Sequence, residues 1–288
     1  MGKWDRSTPW RQGAILTADA TAALGLFSDL TPEHTAVVVV SHDCDLAQAP
    51  EHEPTVEAIV GRFIDKPDGN YLHCKNVRCL HLPITAGSRH CTIELEPRNR
   101  VPLLKFSDEA MSLVDFAPSP EFTMTQKERR TLRRWLAARY DREAFPDEFD
   151  RRMKEETRVA EHLAKAFKET GRFIPAVYFD VDDGEERMRQ GADDVYTLVI
   201  TLLYSTDDDR EAAEKAAEQA ARRVKEIFRS RCMAKDEGGS ERWLWIELQG
   251  VEVMSDHALT YAQSLYLTKW QADHISLRPD PQQPMVEF

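Results

Sequence analysis

The chain has 288 residues, of which 42% are hydrophobic and 31% are charged, and its formal net charge is −12. This composition is typical of a folded globular protein, and a chain of this length can hold two domains. The acidic balance excludes a surface that binds nucleic acid over its whole extent. No apolar run approaches the ~20 residues of a membrane helix, and the N-terminus lacks a signal-peptide core, so we expect a cytoplasmic protein with no membrane partner.

The first third of the chain is predicted to be rich in strands. A short strand over 10–16 is followed by a run of small and β-branched residues over 36–40, which predicts a strand buried on both faces. Alternating hydrophobicity predicts a strand over 55–64, and shorter strands are predicted over 71–74, 78–82 and 91–95. Several short strands separated by turns indicate a small barrel or a strongly bent sheet.

The strand over 36–40 is followed by a possible base, a possible nucleophile and two carboxylates. We call these four residues the strand-end cluster: His42, Asp43, Cys44 and Asp45. Because a buried strand fixes the backbone at its end, these side chains form the candidate catalytic site, provided that the chain turns at Asp43. The adjacent carboxylates raise a thiol pKa, so the cluster fits a divalent cation better than a cysteine nucleophile. The alternative is a purely structural turn in which Asp45 acts as a cap.

Four of the five cysteines lie within residues 44–91. In a cytoplasmic chain, such clustering indicates metal binding or thiol chemistry before disulfides. The predicted metal ligands are Cys44, Cys74, Cys79 and His81, which offer the sulfur and nitrogen atoms that zinc prefers, although another divalent metal is also compatible. Since no CxxC knuckle is present, the alternative that these cysteines only pack in the core stays open.

The middle third is predicted to be helical. A helix over 126–140 has Thr125 as its N-cap, and Glu128 completes a capping box. A second helix opens at 145–149, and a third continues to about residue 168.

The segment 126–142 is basic within an acidic chain. It holds seven Lys or Arg residues against two acidic ones, so its net charge is +5 and the remainder of the chain sums to −17. We expect Arg130, Arg133 and Arg134 to contact the phosphates of a nucleic acid, or this helix to bind an acidic protein partner. The alternative is that the arginines form a solvated face and pair with the acidic residues that follow.

The last third alternates strands with one helix. Strands are predicted over 173–181, 195–204 and 243–254, with a helix over 211–231, and a segment over 259–270 is predicted to pair antiparallel with the 243–254 strand. This order predicts one helix packed on an antiparallel sheet. The whole chain is therefore predicted to be an α+β protein with a β-rich module over 1–96, a helical segment over 97–171 and an α+β domain over 172–288.

Residues 8–85 resemble the SH3-like barrel of the PemK/MazF toxins. The resemblance lies in the order of Trp10 to Leu16, a long loop, Thr35 to Ser41 and Val56 to Arg62. It implies an SH3-like fold and a toxin or defence setting, because members of that family are ribonucleases that use an Arg in an early loop and a Thr or Ser near the third strand. Here the loop between Leu16 and Leu30 contains no Arg and Val60-Gly61 replaces the hydroxyl, so the family's catalytic residues do not carry over.

Two functions follow as expectations. The first is a protein that acts on or binds nucleic acid or nucleotides, as a metal-assisted hydrolase in a toxin or defence setting. The second is a non-catalytic binding or scaffold module of a larger assembly. The sequence leaves open whether the protein is an enzyme.

Overall fold

A computed structural model describes residues 4–27, 34–138, 140, 145–185, 187, 189–207, 209–236, 238–260, 263 and 267–271. Over these residues the chain is an α+β protein with a curled antiparallel sheet in its N-terminal part and a mixed sheet in its C-terminal part. The predicted α+β class is therefore confirmed. No helix among the described residues has both the length and the hydrophobicity that crossing a membrane requires.

The N-terminal sheet is antiparallel throughout and has the strand order β1-β2-β4-β3-β6, with β5 pairing with the long strand β2 on the edge opposite β1. Helix α1 precedes β1, and the short helix α2 follows it. These elements are α1 (Ala18–Ala23), β1 (Thr35–Val39), α2 (Asp43–Leu46), β2 (Thr55–Ile64), β3 (Leu80–Ala86), β4 (Arg89–Leu95), β5 (Arg100–Leu104) and β6 (Phe122–Thr123).

Strand β1 is buried on both faces, as its sequence predicts. Val37 and Val39 belong to a core shared with Trp10 and Leu46, whereas Val38 belongs to a second core on the opposite face of the sheet. Alternation along a strand sends successive side chains to opposite faces, so a continuous Val run is stable only where both faces are covered. The sheet curls as a half-barrel, and its likeness to an SH3-like barrel stays a prediction.

Helix α3 (Gln126–Ala138) packs onto the second of these cores with Leu132 and Trp135, and the Trp135 indole N–H donates to the Asn76 carbonyl at 3.0 Å. The predicted capping box is confirmed, because Glu128 N–H donates to the Thr125 hydroxyl at 3.3 Å and Thr125 N–H donates to the Glu128 carboxylate. The helix ends before the predicted residue 140, and residues 139, 141 and 142 of the basic segment lie outside the described residues.

The C-terminal sheet has the strand order β11-β8-β7-β12, and helices cover one of its faces. A two-stranded ribbon of β9 and β10 lies between α6 and β11 in the chain. The elements are α4 (Asp147–Arg151), a π-helical turn (Arg152–Glu156), α5 (Val159–Thr170), β7 (Ala176–Val181), β8 (Tyr196–Tyr204), α6 (Arg210–Cys232), β9 (Met233–Lys235), β10 (Glu241–Trp243), β11 (Ile246–Ser255) and β12 (Thr268–Lys269).

The prediction of a wholly antiparallel C-terminal sheet is wrong. Strand β11 runs parallel to β8, because the 23-residue helix α6 carries the chain back along the sheet before β11 begins. The segment 259–270 does not pair with β11. Of this segment, β12 pairs antiparallel with β7, while residues 261–262 and 264–266 lie outside the described residues.

The prediction of a strand over 71–74 is also wrong. His73 and Cys74 have φ values of 57° and 60°, a left-handed conformation that interrupts any strand. These residues belong to a long loop over 65–79, which we call the bridging loop. It attaches the two cores to each other, since Gly69 N–H donates to the Lys168 carbonyl at 2.9 Å and Lys75 Nζ donates to the Ile174 carbonyl at 2.8 Å.

The helical middle of the chain is divided between the two cores. Helix α3 packs on the N-terminal sheet, whereas α4 and α5 contribute Phe149, Leu163 and Phe167 to the core of the C-terminal sheet. The predicted boundaries of the three parts of the chain remain predictions. For the site, the consequence is that α3 faces the C-terminal sheet across a cleft.

Candidate functional site

The strand-end cluster forms a turn that is bonded to its own backbone. Helix α2 begins at Asp43, so the turn that the sequence requires there is present, and the His42 imidazole caps the helix by accepting from Cys44 N–H at 3.3 Å. The Asp43 carboxylate accepts from Gln12 N–H at 2.8 Å. All four residues of the cluster are exposed.

The far end of α2 is anchored by buried donors. The Lys105 ammonium, which has 0% exposure, donates to the carbonyls of Asp45 at 2.6 Å and Gln48 at 3.0 Å. The Trp4 indole donates to the Leu46 carbonyl at 2.8 Å. These bonds satisfy the carbonyls that a helix leaves unpaired at its C-terminus. The structural role of the turn is therefore accounted for, and a catalytic role for His42, Asp43, Cys44 and Asp45 stays a prediction.

A group of potential metal ligands lies where the end of the bridging loop meets β3 and β4. It consists of Cys79, His81 and Glu94, whose ligand atoms all lie within 4.8 Å of one another. His81 on β3 and Glu94 on β4 are cross-strand partners, and the neighbouring Leu80 and Leu95 point into the core. The structure therefore brings together sulfur, nitrogen and oxygen atoms that can hold a metal ion.

This group differs from the set that the sequence predicts. Of the predicted ligands Cys44, Cys74, Cys79 and His81, it contains the last two, and its third member, Glu94, was missed. Cys44 lies in α2, and the buried Cys74 thiol donates to the Thr131 carbonyl at 3.1 Å. Glu94 becomes a neighbour of His81 only through the register between β3 and β4, which local sequence does not specify.

The hydrogen bonds of His81 restrict what this group can do. Its Nδ1 accepts from Asp68 N–H at 2.9 Å, so the neutral ring carries its proton on Nε2, which lies 3.1 Å from the Glu94 carboxylate. Both nitrogens are thus engaged, and neither is available as a base for Cys79. A metal ion on Nε2 would require the ring proton to move to Nδ1, which breaks the bond from Asp68.

The electrostatics of the group favour neutral side chains. Burial lowers the pKa of His81 despite its hydrogen bond to Glu94. Burial, followed by the charges of Glu94 and Glu96, raises the pKa of the Cys79 thiol. A thiolate–imidazolium pair of the kind used by cysteine nucleophiles is therefore disfavoured, because both shifts oppose it.

The cleft between α3 and the C-terminal sheet has a volume of about 960 Å³, and we call it the basic cleft. Its helical wall carries Lys127, Arg130 and Arg134, which share one face because they are spaced by three and four residues. The opposite wall carries Tyr178 of β7 and Lys269 of β12, which are cross-strand partners. Two chain segments that are distant in sequence therefore supply cations to the same space.

Arg134 and Lys269 are close enough to interact electrostatically within the cleft. Burial lowers the pKa of Lys269, the Cys74 thiol acts in the opposite direction, and the charge of Arg134 lowers the pKa further. No ion pair joins Arg130, Arg134 or Lys269 to a carboxylate within the part of the chain that the structure describes. Cations held together without a counter-ion repel each other, and a bound anion would relieve that repulsion.

The end of the cleft beside Lys127 is acidic. Because β8 and β11 are parallel, their C-terminal ends lie side by side, and Asp207 and Asp256 follow them. The Lys127 ammonium lies 2.5 Å from the Asp207 carboxylate, and the Asp256 carboxylate accepts from the Thr206 hydroxyl at 2.8 Å. Arg134 is two helical turns beyond Lys127, about 10 Å along the axis, so the two ends are well separated.

The structure separates the three arginines that the sequence treats as one set. Arg130 and Arg134 line the basic cleft, whereas Arg133 is exposed on another face of α3. No local pattern in the sequence relates Lys269 or Asp256 to α3, so neither was predicted to lie beside the basic helix.

Comparisons of the chain with models of known protein families, with curated proteins and with solved structures found no match. The resemblance to the PemK/MazF toxins accordingly stays a prediction. The function has to be inferred from the geometry and charges of the chain itself.

Proposed function

We propose that the basic cleft binds the phosphate groups of a nucleic acid strand or a nucleotide. The observation that carries this proposal is the convergence of Arg130, Arg134 and Lys269 on one cleft with no carboxylate paired to them among the described residues. Arginine guanidinium groups bind phosphate oxygens through paired N–H donors, and lysine adds a compact positive charge. The net charge of −12 does not oppose this, because binding depends on the local charge of the cleft.

The shape of the cleft favours a single strand or a nucleotide over a duplex. Its volume of about 960 Å³ lies near the upper end of roughly 300–1,000 Å³ for pockets that enclose small ligands. It also contains Tyr178, an aromatic residue of the kind on which nucleic-acid bases stack. A double helix would need a long open surface, and a cleft between a helix and a sheet does not provide one.

The proposal is for binding, with no assigned reaction. None of the strand-end cluster residues lines the cleft, and neither Cys79 nor His81 does. A binding module of a larger assembly therefore agrees better with the geometry than a metal-assisted hydrolase in a toxin or defence setting. Zinc is the metal that the sulfur and nitrogen ligands of the Cys79–His81–Glu94 group would favour, and we propose it as a separate, non-catalytic ligand.

The test is the affinity for a fluorescently labelled single-stranded oligonucleotide, measured by anisotropy at several salt concentrations. We expect the double variant Arg130→Gln/Arg134→Gln to bind at least tenfold more weakly and to lose about 0.7 from the salt slope for each phosphate contact removed. The matched control is Arg133→Gln, which removes the same charge from the same helix outside the cleft and should bind like the wild type.

Two results would contradict the proposal. One is an equal loss of affinity in Arg133→Gln, which would indicate a non-specific effect of helix charge. The other is the absence of binding to RNA, DNA and nucleotides by the wild-type protein at low salt. An acidic protein partner for α3 would then be the leading alternative.

A further inference from the structure

The basic cleft is charged oppositely at its two ends, and this restricts the ligand further. Arg134 and Lys269 lie at one end, and Asp207 and Asp256 lie at the other. A uniformly charged polyanion would be attracted at the first end and repelled at the second. The complementary ligand carries its negative charge at one end and neutral hydrogen-bond donors at the other.

The two carboxylates at the acidic end differ in what they can still accept. Asp207 is neutralised by Lys127, and this contact also lowers the pKa of its carboxyl. Asp256 is 26% exposed, and its Oδ1 accepts from the Thr206 hydroxyl. Among the described residues, no hydrogen bond reaches its other oxygen, Oδ2. Asp256 Oδ2 can therefore accept a hydrogen bond from a ligand.

His257 is exposed and its Nε2 lies 4.0 Å from Asp256 Oδ1, at the limit of an ion pair. Asp256 is also held in place, because its backbone N–H donates to the Tyr204 carbonyl at 2.9 Å. A carboxylate that is fixed in place favours a ligand whose hydrogen-bond donor reaches its unengaged oxygen. A ligand with a misplaced or missing donor leaves that oxygen unpaired and binds more weakly.

We propose that the cleft holds a nucleoside phosphate, with its phosphate between Arg134 and Lys269 and a donor of its base or ribose on Asp256. The proposal rests on the proposed function and adds the class and direction of the ligand. A nucleoside phosphate fits because its charge is concentrated on the phosphate, while amino, imino and hydroxyl donors lie at the other end of the molecule. Such a unit is either a free mononucleotide or the terminal nucleotide of a strand.

The experiment is isothermal titration calorimetry with inorganic phosphate, ribose 5-phosphate, the common 5′-mononucleotides and short oligonucleotides. We expect at least one mononucleotide or oligonucleotide to bind about tenfold or more tightly than inorganic phosphate. Asp256→Asn should remove that advantage, because it places an amide donor opposite the donor of the ligand. Its affinity for inorganic phosphate should be unchanged or higher, since a negative charge has gone.

Two further variants complete the test. Arg134→Gln should weaken inorganic phosphate and nucleotides alike, whereas Glu252→Gln is the matched control, because Glu252 is an exposed carboxylate of β11 that does not line the cleft. Asp256→Ala replaces Asp256→Asn if the latter shows a lowered melting temperature. Asp256-dependent binding of the mononucleotides identifies a free nucleotide, and the same dependence with oligonucleotides alone identifies a strand end.

The outcome separates this inference from the proposed function. If phosphate and nucleotides bind through Arg134 but Asp256→Asn keeps the full preference for nucleotides, the directional ligand is overturned and the phosphate-binding cleft stands. If neither phosphate nor any nucleic acid binds, both fail. A preference that is lost equally in Glu252→Gln would also overturn the inference, because the effect would then be one of overall charge.

Discussion

At the scale of single residues, the Cys79–His81–Glu94 group shows how hydrogen bonding decides what a cluster of competent side chains can do. The three side chains are close enough to hold a metal ion, yet His81 is already engaged at both nitrogens, by Asp68 N–H and by Glu94. Burial favours the neutral forms of Cys79 and His81. Metal binding would therefore compete with a proton and with an existing hydrogen bond.

This competition predicts a weak and pH-dependent zinc site. Because Zn²⁺ displaces the Cys79 thiol proton while the His81 proton moves to Nδ1, one proton is released, and the affinity should rise about tenfold per pH unit below the thiol pKa. The measurement is competition with a chromophoric zinc chelator between pH 6.5 and 8.5. Cys79→Ser should abolish this dependence, whereas Cys74→Ser should leave it intact. Loss of zinc binding in Cys74→Ser would favour the ligand set predicted from sequence.

At the scale of elements, one buried arginine anchors the π-helical turn to the C-terminal sheet. The Arg152 guanidinium, with 0% exposure, donates to the carbonyls of Asp194 at 2.7 Å, Trp245 at 2.9 Å and Gly191 at 3.1 Å. Its Nε donates to the Glu148 carboxylate at 2.8 Å. One side chain thus ties the helical segment to the loops that precede β8 and β11. The buried charge of Arg152 is tolerated because all three guanidinium nitrogens donate hydrogen bonds, to three carbonyls and one carboxylate.

The ion pairs of Glu148 with Arg151 and Arg152 predict that the free energy of unfolding decreases in acid. Hydrogen bonds from Arg151 and Arg152 lower the pKa of Glu148 to about 2, so its carboxylate stabilises the fold above pH 4.5 and the contribution disappears as the pH falls toward 2. Glu148→Gln should lower the free energy of unfolding by about 2 kcal/mol at pH 7, and the difference from the wild type should vanish near pH 2. Urea unfolding at several pH values measures this, and a pH-independent difference would contradict it.

At the scale of the whole molecule, the bridging loop holds the two cores in one arrangement. Asn70 donates to the Ala164 carbonyl at 2.8 Å, and Lys75 Nζ donates to the carbonyls of Gly171 and Ile174. Gly69 approaches Gly171 so closely that a Cβ on Gly69 would lie 2.9 Å from the Gly171 Cα. These contacts join the bridging loop to α5 and to the segment that leads from α5 into β7.

The buried Lys75 of the bridging loop predicts that the free energy of unfolding increases at alkaline pH. Burial lowers the pKa of Lys75 from 10.5 to about 7. Between pH 7 and pH 10.5 the Lys75 amine is therefore protonated in the unfolded chain and neutral in the native state. Because the unfolded state binds one more proton, the native state becomes more stable as the pH rises through this window. A neutral amine still has two N–H donors for its two carbonyls. Relative to Lys75→Met, the wild type should therefore be more stable at pH 9 than at pH 7 by about 2 kcal/mol. Equal differences at both pH values in chemical denaturation would refute this assignment.

The sequence by itself determined the elements whose signals are local. The strand over 36–40, the strand over 55–64 and the helix that begins after Thr125 follow from periodicity and capping, which depend on residues within a few positions. The basic character of α3 was equally visible. The turn at Asp43, on which the candidate catalytic site depended, is present.

Only the tertiary structure decided which of these residues meet. Arg134 and Lys269 come from distant segments, and they face each other because the bridging loop docks one core on the other. Asp256 reaches the same cleft because α6 returns the chain to make β11 parallel to β8. Arg133 was excluded from the cleft by its angle on the helix. Strand register, crossover direction and docking are set by packing between distant residues, and no local pattern in the sequence encodes them.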